Sequence, residues 1–404
     1  MLTPQIPYPP RQGTALRNWG LLQGLSARHR VSLLTFAAPD QDVALPDAIT
    51  TLVARATVFP QPVRTLSQRL RTLLSDPRPD LLLRLESPDF RQQMQMWLDE
   101  FKFDWVQIEG LELTGYLDLV RACTHPPRVV FDDHNCEYLL QRRASQADMR
   151  RPSRWIGAAY SAVQWRRLLR HERAVCRSAD MVVTVSHADA DALRNIAPGL
   201  EPLLVPNGIT MAEYTGYASR AELRQPAFVF TGTMNFRPNV DGVLWFAHNV
   251  WPRILAALPE AHFYIVGRSP HKRLSELNAM PGVIITGAVP DTRPYINAAA
   301  VYVVPLLVGG GTRLKILEAT AMDKTVVSTT LGAEGFPDAG RALILADAPA
   351  DFADACIRLA QRSQDATHTH AFAEAYDWQR LLPPLLERLE TAGGKRQEIG
   401  NVLH

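Results

Sequence analysis

Along this chain, apolar runs of five to seven residues alternate with longer stretches of helical periodicity. That is how layered α/β domains read. VSLLTF (31–36), WVQIEG (105–110), RVVFDD (128–133), MVVTVS (181–186) and PLLVPNG (202–208) form a first series. AFVFTGT (227–233), HFYIVG (262–267), VIITG (283–287), VYVVPL (301–306) and TVVSTT (325–330) form a second. Each is rich in β-branched or aromatic residues and ends in turn chemistry, which predicts strands. Helical patterns lie between them, notably over 239–258 and 312–322. The pattern predicts two successive parallel-sheet domains joined near Val205 to Ile209, with no internal repeat.

Two places break the regularity. Residues 141–177 carry ten arginines against Asp148 and Glu172 only, with Trp155 and Trp165 interleaved. A basic amphipathic helix with tryptophans can lie on an anionic membrane face; an arginine-rich solvated helix reads equally well. At the amino end, only Met1, Leu2 and Thr3 precede a proline-rich loop, so the first strand is either very short or continues upstream.

Composition narrows the class. At 404 residues the chain exceeds one core. A net charge of +2, with 47% apolar and 21% charged residues, describes an ordinary globular protein. That balance argues against a nucleic-acid partner. Cys123, Cys136, Cys176 and Cys356 form no C-x-x-C pair, so a reduced, cytoplasmic setting is expected and no metal framework. No signal peptide and no membrane span are expected.

The candidate chemistry gathers at predicted strand ends, where open α/β sheets bind ligands. VYVVPL runs into Gly309, Gly310 and Gly311, and a helix is expected from Thr312. On it, Gly311, Lys315 and Glu318 share one face, while Leu314, Leu317 and Ala321 share the next. Glycines, a helix amino end, a cation and a carboxylate suit a ligand with a phosphate at one end and hydroxyls beyond it. The alternative is close packing with a surface Lys–Glu pair. The spacing is not that of a Walker A loop.

The stretch VVFDDHNCEY delivers Asp132, Asp133, His134, Asn135 and Glu137 together, for proton handling or as an Asp–His capping pair. FTGTMNFRPNVDG offers a turn at Gly232, with Arg237 and Asn239 before a helix expected from Val240. It reads as an anion-facing helix entrance, or as N-capping by Asn239. IPYPPRQGTALRNWGLL places Gly13 in a loop leading to a helix that bears Arg17.

From PYPPRQGTALRNW through DDHNCEYLL, VPNGI and FTGTMNFRPNVDGVLWF to GAVPDTRPYINAAAVYVVPLLVGGGTRLKILEATAM, the chain resembles the retaining glycosyltransferases of family 4. The resemblance implies the GT-B fold: two Rossmann-like, doubly wound domains facing a central cleft. An acceptor-side domain would span 1–205 and a nucleotide-sugar-binding domain 206–372, with a carboxyl-terminal helix at about 376–392 crossing back to the first. It implies transfer of a hexosyl group from a nucleoside diphosphate sugar to a hydroxyl of a glycan or lipid-linked glycan, in exopolysaccharide or cell-surface glycan synthesis. No metal and no cofactor are implied, because helix dipoles and basic side chains can neutralise the leaving diphosphate.

The resemblance places His134 near the donor sugar, Val289 where backbone meets the nucleobase, and Glu318 at the second acid of a Glu-x7-Glu pair, on the ribose. Gly310 stands where the first acid is usual. Thr233 and Pro238 replace a family Arg and Lys, leaving Arg237, Arg313 and Lys315 for the diphosphate. Gly309, Gly310, Gly311 and Thr312 would supply backbone amides to the donor. Two other readings stand beside this one: a sugar-nucleotide epimerase of the same architecture, and a catalytically silent nucleotide- or glycan-binding protein.

Overall fold

The computed structural model describes every residue except 11–12, 39–40, 42, 150–154, 309–311, 337–338, 363–365 and 401–404. The chain divides into two units. One comprises Met1–Pro206 with Leu382–His404, the other Asn207–Leu381. The second division therefore falls beyond the expected limit at 372.

The first unit is built on a seven-stranded sheet: β1 (Leu2–Thr3), β2 (Ser32–Ala37), β3 (Arg55–Pro60), β4 (Trp105–Glu109), β5 (Arg128–Asp133), β6 (Met181–Thr184) and β7 (Leu203–Leu204). They lie in the order β3-β2-β1-β4-β5-β6-β7, and each pairing is parallel. The second unit holds six strands: β8 (Ala227–Thr231), β9 (His262–Val266), β10 (Val283–Gly287), β11 (Val301–Val304), β12 (Val326–Ser328) and β13 (Leu343–Leu345). Their order is β10-β9-β8-β11-β12-β13, again parallel. In each sheet the winding direction reverses beside the first strand, between β1 and β4 and between β8 and β11. Such a switch point splays the connecting loops apart and opens a crevice at the carboxyl ends of the strands.

The central strands are buried on both faces, which is why they read as near-continuous apolar runs. Three strands escaped that pattern. β3 and β13 are sheet edges: β3, RATVFP, mixes polar with apolar residues and stays partly exposed, and β13 is apolar but only three residues long. β1 has only two residues, pairing Leu2 with both Leu34 and Ile108. The Met1 ammonium, donating to the Ser32 carbonyl at 2.8 Å, lies at its amino end. Beside it a cavity of about 410 Å³, lined by Trp97, Phe101 and Trp105 among others, occupies the amino ends of the strands. That is the end of the sheet away from the switch point.

The single helix expected over 239–258 is three pieces: Arg237–Trp245, a π turn at Phe246–Val250 and Trp251–Ala257. Pro252 has no N–H to give the preceding turn, so the hydrogen-bond ladder resets there. Phe246 then packs on Phe263 with ring centroids 4.6 Å apart. The expected 376–392 helix is likewise two. Trp378–Leu381 belongs to the second unit and Pro383–Gly400 to the first, broken at Pro383. In the first unit the Trp105 indole donates to the Leu389 carbonyl at 3.2 Å.

The arginine-rich segment forms helices Glu137–Met149 and Trp155–Ser178, which pack together. Arg150, Arg151 and Arg154 lie outside the described residues. Arg167 is a staple, donating to the carbonyls of Leu73 at 2.7 Å and Arg78 at 3.3 Å. Glu172 is fully buried and accepts from the amides of Glu137 and Tyr138, capping the preceding helix. Arg142 and Arg166 lie over the Trp165 ring. Arg166 and Arg170 are exposed, as is Trp155. Among the described residues no helix is long and apolar enough to cross a membrane.

Candidate active site

In the first unit the switch-point crevice is furnished by the ends of β4 and β5. Asp132, the penultimate residue of β5, meets Arg17 from the Gly13–Ser26 helix. Nε and Nη2 of Arg17 reach its carboxylate at 3.0 and 2.8 Å, and Nη1 donates to the Val205 carbonyl at 2.9 Å. Both side chains are essentially inaccessible. Such a pair survives burial because its charges and lone pairs are mutually satisfied. It ties the first helix to the sheet and to the last residues before the second unit.

The last residue of β4, Glu109, is also buried. It accepts from Gln107 Nε2 at 2.6 Å, and its Oε2 lies 2.9 Å from His134 Nε2. Burial disfavours the imidazolium, but the Glu109 hydrogen bond and the Asp132 charge outweigh it, and the His134 pKa rises. The Glu109 carboxyl is also pushed up, by burial first and by Asp132 next. The pair therefore keeps one proton between its members to higher pH than a free imidazole would.

Asp133 has no hydrogen-bond partner for either oxygen. Burial, with Glu172, Asp189 and Glu137 adding repulsion, raises its pKa strongly and so favours its neutral form. Glu109, Asp132 and His134 bring potential metal-ligand atoms within 4.8 Å of one another. The Arg17 guanidinium already supplies the positive charge beside Asp132, and His134 engages Glu109, so the group closes on itself as an ion-pair network.

Gly13 opens its helix, and a Cβ there would meet open space. Its packing therefore gives no reason for a glycine.

In the second unit the crevice is centred on Lys315, from helix Leu314–Ala321. Its ammonium donates to the carbonyl of Thr231, the last residue of β8, at 2.7 Å and to Asn239 Oδ1 at 3.1 Å. It stands 4.0 Å from the centre of the Phe230 ring. Desolvation lowers its pKa to about 7; Arg313 adds to that and Glu318 opposes it.

Asn239 was expected before a helix starting at Val240, but the helix begins at Arg237. The Asn239 side chain instead accepts from Lys315 and donates to the Thr233 carbonyl at 3.0 Å. Gly232 is required by this arrangement, since a Cβ would come within 2.8 Å of Asn239 Nδ2 and 3.0 Å of Lys315 Nζ. Gly267 is required too: its φ is +151°, and a Cβ would fall 1.8 Å from the Gly232 carbonyl oxygen.

Glu318 follows Lys315 on the same helix and accepts from the Tyr214 hydroxyl at 3.4 Å. Burial raises its pKa against the pull of Lys315. Arg313 sits at the helix cap with 9% exposure, and burial lowers its pKa. Thr312 is half-buried against Gly335. Arg237 is exposed and pairs with Asp241 at 3.3 Å, an acid that Arg273 also holds. Val289 is half-buried beyond the end of β10. Gly309, Gly310 and Gly311 lie outside the described residues. The structure thus unites Gly232, Asn239 and Lys315, with Glu318 next along the helix. It gives Arg237 a surface partner instead.

Three participants were not singled out from sequence. Glu109 ends a strand that reads as core, Arg17 was noted only as a helix residue, and Tyr214 follows a short 3₁₀ turn with no motif of its own. The only signal for Glu109 is an acid closing an apolar run, WVQIE.

Residues 12–213 match the family profile described as Glycosyltransferase Family 4, and residues 225–362 the profile described as Glycosyl transferases group 1. The chain belongs to the glycosyltransferases these profiles describe. HepE from Anabaena, solved with UDP and glucose, has a similar fold, with a TM-score of 0.62, 13% identity, and 96% of this chain and 98% of that one covered. A glycosyltransferase from Rickettsia africae gives 0.61 at 12% identity, with 97% of each chain covered. The UDP-forming α,α-trehalose-phosphate synthase of Burkholderia xenovorans gives 0.62 at 12%, with 96% and 98% covered. At these identities the likeness establishes the fold, GT-B. A curated relative, an uncharacterized 44.6 kDa protein from the cps region of Klebsiella pneumoniae, is 24% identical over 115 residues. That match spans 26% of this glycosyltransferase and 30% of the relative's length.

Proposed function

We propose that this glycosyltransferase moves a hexosyl group from a nucleoside diphosphate sugar to an acceptor hydroxyl, with retention of anomeric configuration. The observation that carries the reading is the Lys315 ammonium. It is held at the carboxyl end of β8 by two acceptors, with Glu318 following on the same helix. An ammonium has three donors; the third is assigned to the donor's diphosphate, and Glu318 to the ribose hydroxyls. The family match supports this, and HepE and the trehalose-phosphate synthase suggest uridine as the nucleoside.

In the reaction the acceptor oxygen bonds to the anomeric carbon as the bond from that carbon to the phosphate oxygen breaks. The electron pair leaves on the diphosphate, which also takes the acceptor's proton. Charge on the diphosphate grows as the sugar departs, so a cation beside it stabilises the transition state more than the ground state. His134, oriented by Glu109, is assigned to a sugar hydroxyl. No metal is required in this scheme. Cell-surface or exopolysaccharide synthesis is proposed as the pathway class, in keeping with the cps-region relative, with the work done in the cytoplasm and the exposed arginines of 155–178 resting on an anionic leaflet.

The test is turnover of a UDP-sugar panel with and without EDTA, with product configuration read by NMR. Inverted product refutes retention, and EDTA-sensitive activity restored by Mn²⁺ refutes metal independence. UDP binding without turnover on any sugar donor and acceptor tried would favour the silent binding protein.

A further inference from the structure

The first unit contains a second cavity, of about 430 Å³, on the same edge of the sheet as Glu109 and His134. Gln5, just beyond β1, and Gln61, just beyond β3, stand on its wall, together with Arg64, Arg69, Arg84 and Glu112. Its volume is in the range of small-molecule sites. Its charge is unusual. Asp80, 6% exposed and next to this cavity, receives all three guanidiniums: Arg64 at 2.7 Å, Arg69 at 3.1 Å and Arg84 at 3.5 Å. Burial pushes the Asp80 carboxyl up, but the Arg64 hydrogen bond and the charges of Arg69 and Arg84 outweigh it and hold it below its usual range. One carboxylate balances one of the three cations. The other acid on the wall, Glu112, is itself displaced toward its neutral form by burial. The cavity thus keeps an excess of fixed positive charge.

The three arginines are not equivalent. Arg64 is 14% exposed and also donates to Thr72 Oγ1 at 2.6 Å, so it is part of the frame. Arg84 is 59% exposed and only loosely attached, and Arg69 is 37% exposed. These two can turn guanidinium donors toward a ligand while Arg64 holds Asp80 in place. A planar guanidinium pair matches the oxygens of a phosphoryl group. The surplus suits a phosphoryl group, which always carries negative charge at neutral pH and reaches about −1.5 to −2 as a monoester.

We propose that this cavity is the acceptor's anchor, and that the acceptor carries a phosphoryl group, either a soluble sugar phosphate or the phosphate of a lipid-linked glycan. Gln5, Gln61 and Glu112 would then meet the sugar hydroxyls. The inference rests on the proposed transfer reaction for the word acceptor; the phosphate site itself does not depend on it.

The experiment uses the full chain with UDP at saturation, so that the diphosphate position is filled. Calorimetry compares galactose 1-phosphate with methyl galactoside, in the wild type and in an Arg69→Gln/Arg84→Gln variant whose thermal unfolding and circular dichroism are checked first. The expected result is a preference for the phosphate ester of about tenfold or more, the size of one charged hydrogen bond, which the variant loses. A parallel arm measures co-sedimentation with phosphatidylcholine vesicles with and without a long-chain polyprenyl phosphate. Arginine-dependent capture by the doped vesicles assigns the lipid carrier, and arginine-dependent binding of the soluble ester alone assigns a soluble one. Equal affinity for the charged and neutral sugars, or a preference that survives in the variant, overturns the proposal. Failure of the wild type to bind UDP would count against the transfer reaction and leave the phosphate comparison to decide the cavity.

Discussion

Lys315 makes the nucleotide affinity of this glycosyltransferase depend on pH in a direction that can be worked out beforehand. With its pKa lowered to about 7 by desolvation, half of the ammonium is deprotonated at neutral pH. A diphosphate beside it favours the charged form, so binding the nucleotide draws a proton onto Lys315 at any pH above 7. The free protein pays for that proton uptake, and affinity falls by up to tenfold per pH unit. From pH 7 to pH 8.5 the expected loss is about fifteenfold; from pH 6 to 7 it is less than about twofold. Calorimetric titration of UDP at half-unit steps between pH 6.5 and 9, in two buffers of different ionisation enthalpy, reads both the affinity and the proton uptake. Lys315→Ala should bind UDP more weakly at pH 7 and show a flat profile above it. A flat profile in the wild type, or a slope that persists in Lys315→Ala, refutes the assignment of this ammonium to the diphosphate.

Three further outcomes are expected. Arg17→Ala leaves the buried Asp132 carboxylate without its cation and should cost about 3–5 kcal/mol in urea unfolding; a loss under about 1 kcal/mol would show the pair to be incidental. Glu318→Ala should weaken UDP binding about ten- to a hundredfold with an unchanged circular dichroism spectrum, since it removes hydrogen bonds to a charged acceptor; unchanged affinity would make Glu318 a packing residue. His134, its pKa raised in the fold, contributes stability that is complete below pH 6.5 and is lost as pH rises through the folded value. NMR titration of the imidazole should show that raised pKa and its fall in Glu109→Gln, together with loss of the pH dependence of thermal unfolding above pH 6.5; an unmoved titration would remove Glu109 from the pair.

Much of the architecture is written in local pattern. Strands buried on both faces must be apolar throughout, so β2, β4, β5, β6, β8, β9, β11 and β12 were legible as runs, and the partly buried edge strand β10 was legible from its own run VIITG. The boundary between the units was legible from the strand end and turn at VPNG. Lys315 and Glu318 were legible as a pair because three residues of helix put them one turn apart on one side. Two edge strands were not legible: β3 mixes polar with apolar residues along a partly exposed strand, and β13 has only three residues, so neither makes a long apolar run.

What only the tertiary structure decided is which distant groups meet. Arg17 and Asp132 are separated by 115 residues, and nothing local tells an arginine on the first helix that its partner lies near the end of the fifth strand. The same holds for Lys315 and Asn239, 76 residues apart, where Asn239 looked like an N-cap and serves as an acceptor for an ammonium. It holds for Arg167, counted by sequence among surface cations and spent in the fold on two backbone carbonyls, and for Glu172, which looked like a lone counter-charge and caps a helix from within. Periodicity reports whether a position faces apolar or polar surroundings. The partner of a buried charge is chosen by strand order and by the approach of two chain segments at a switch point, which are properties of the assembled sheet and of no single stretch of the chain.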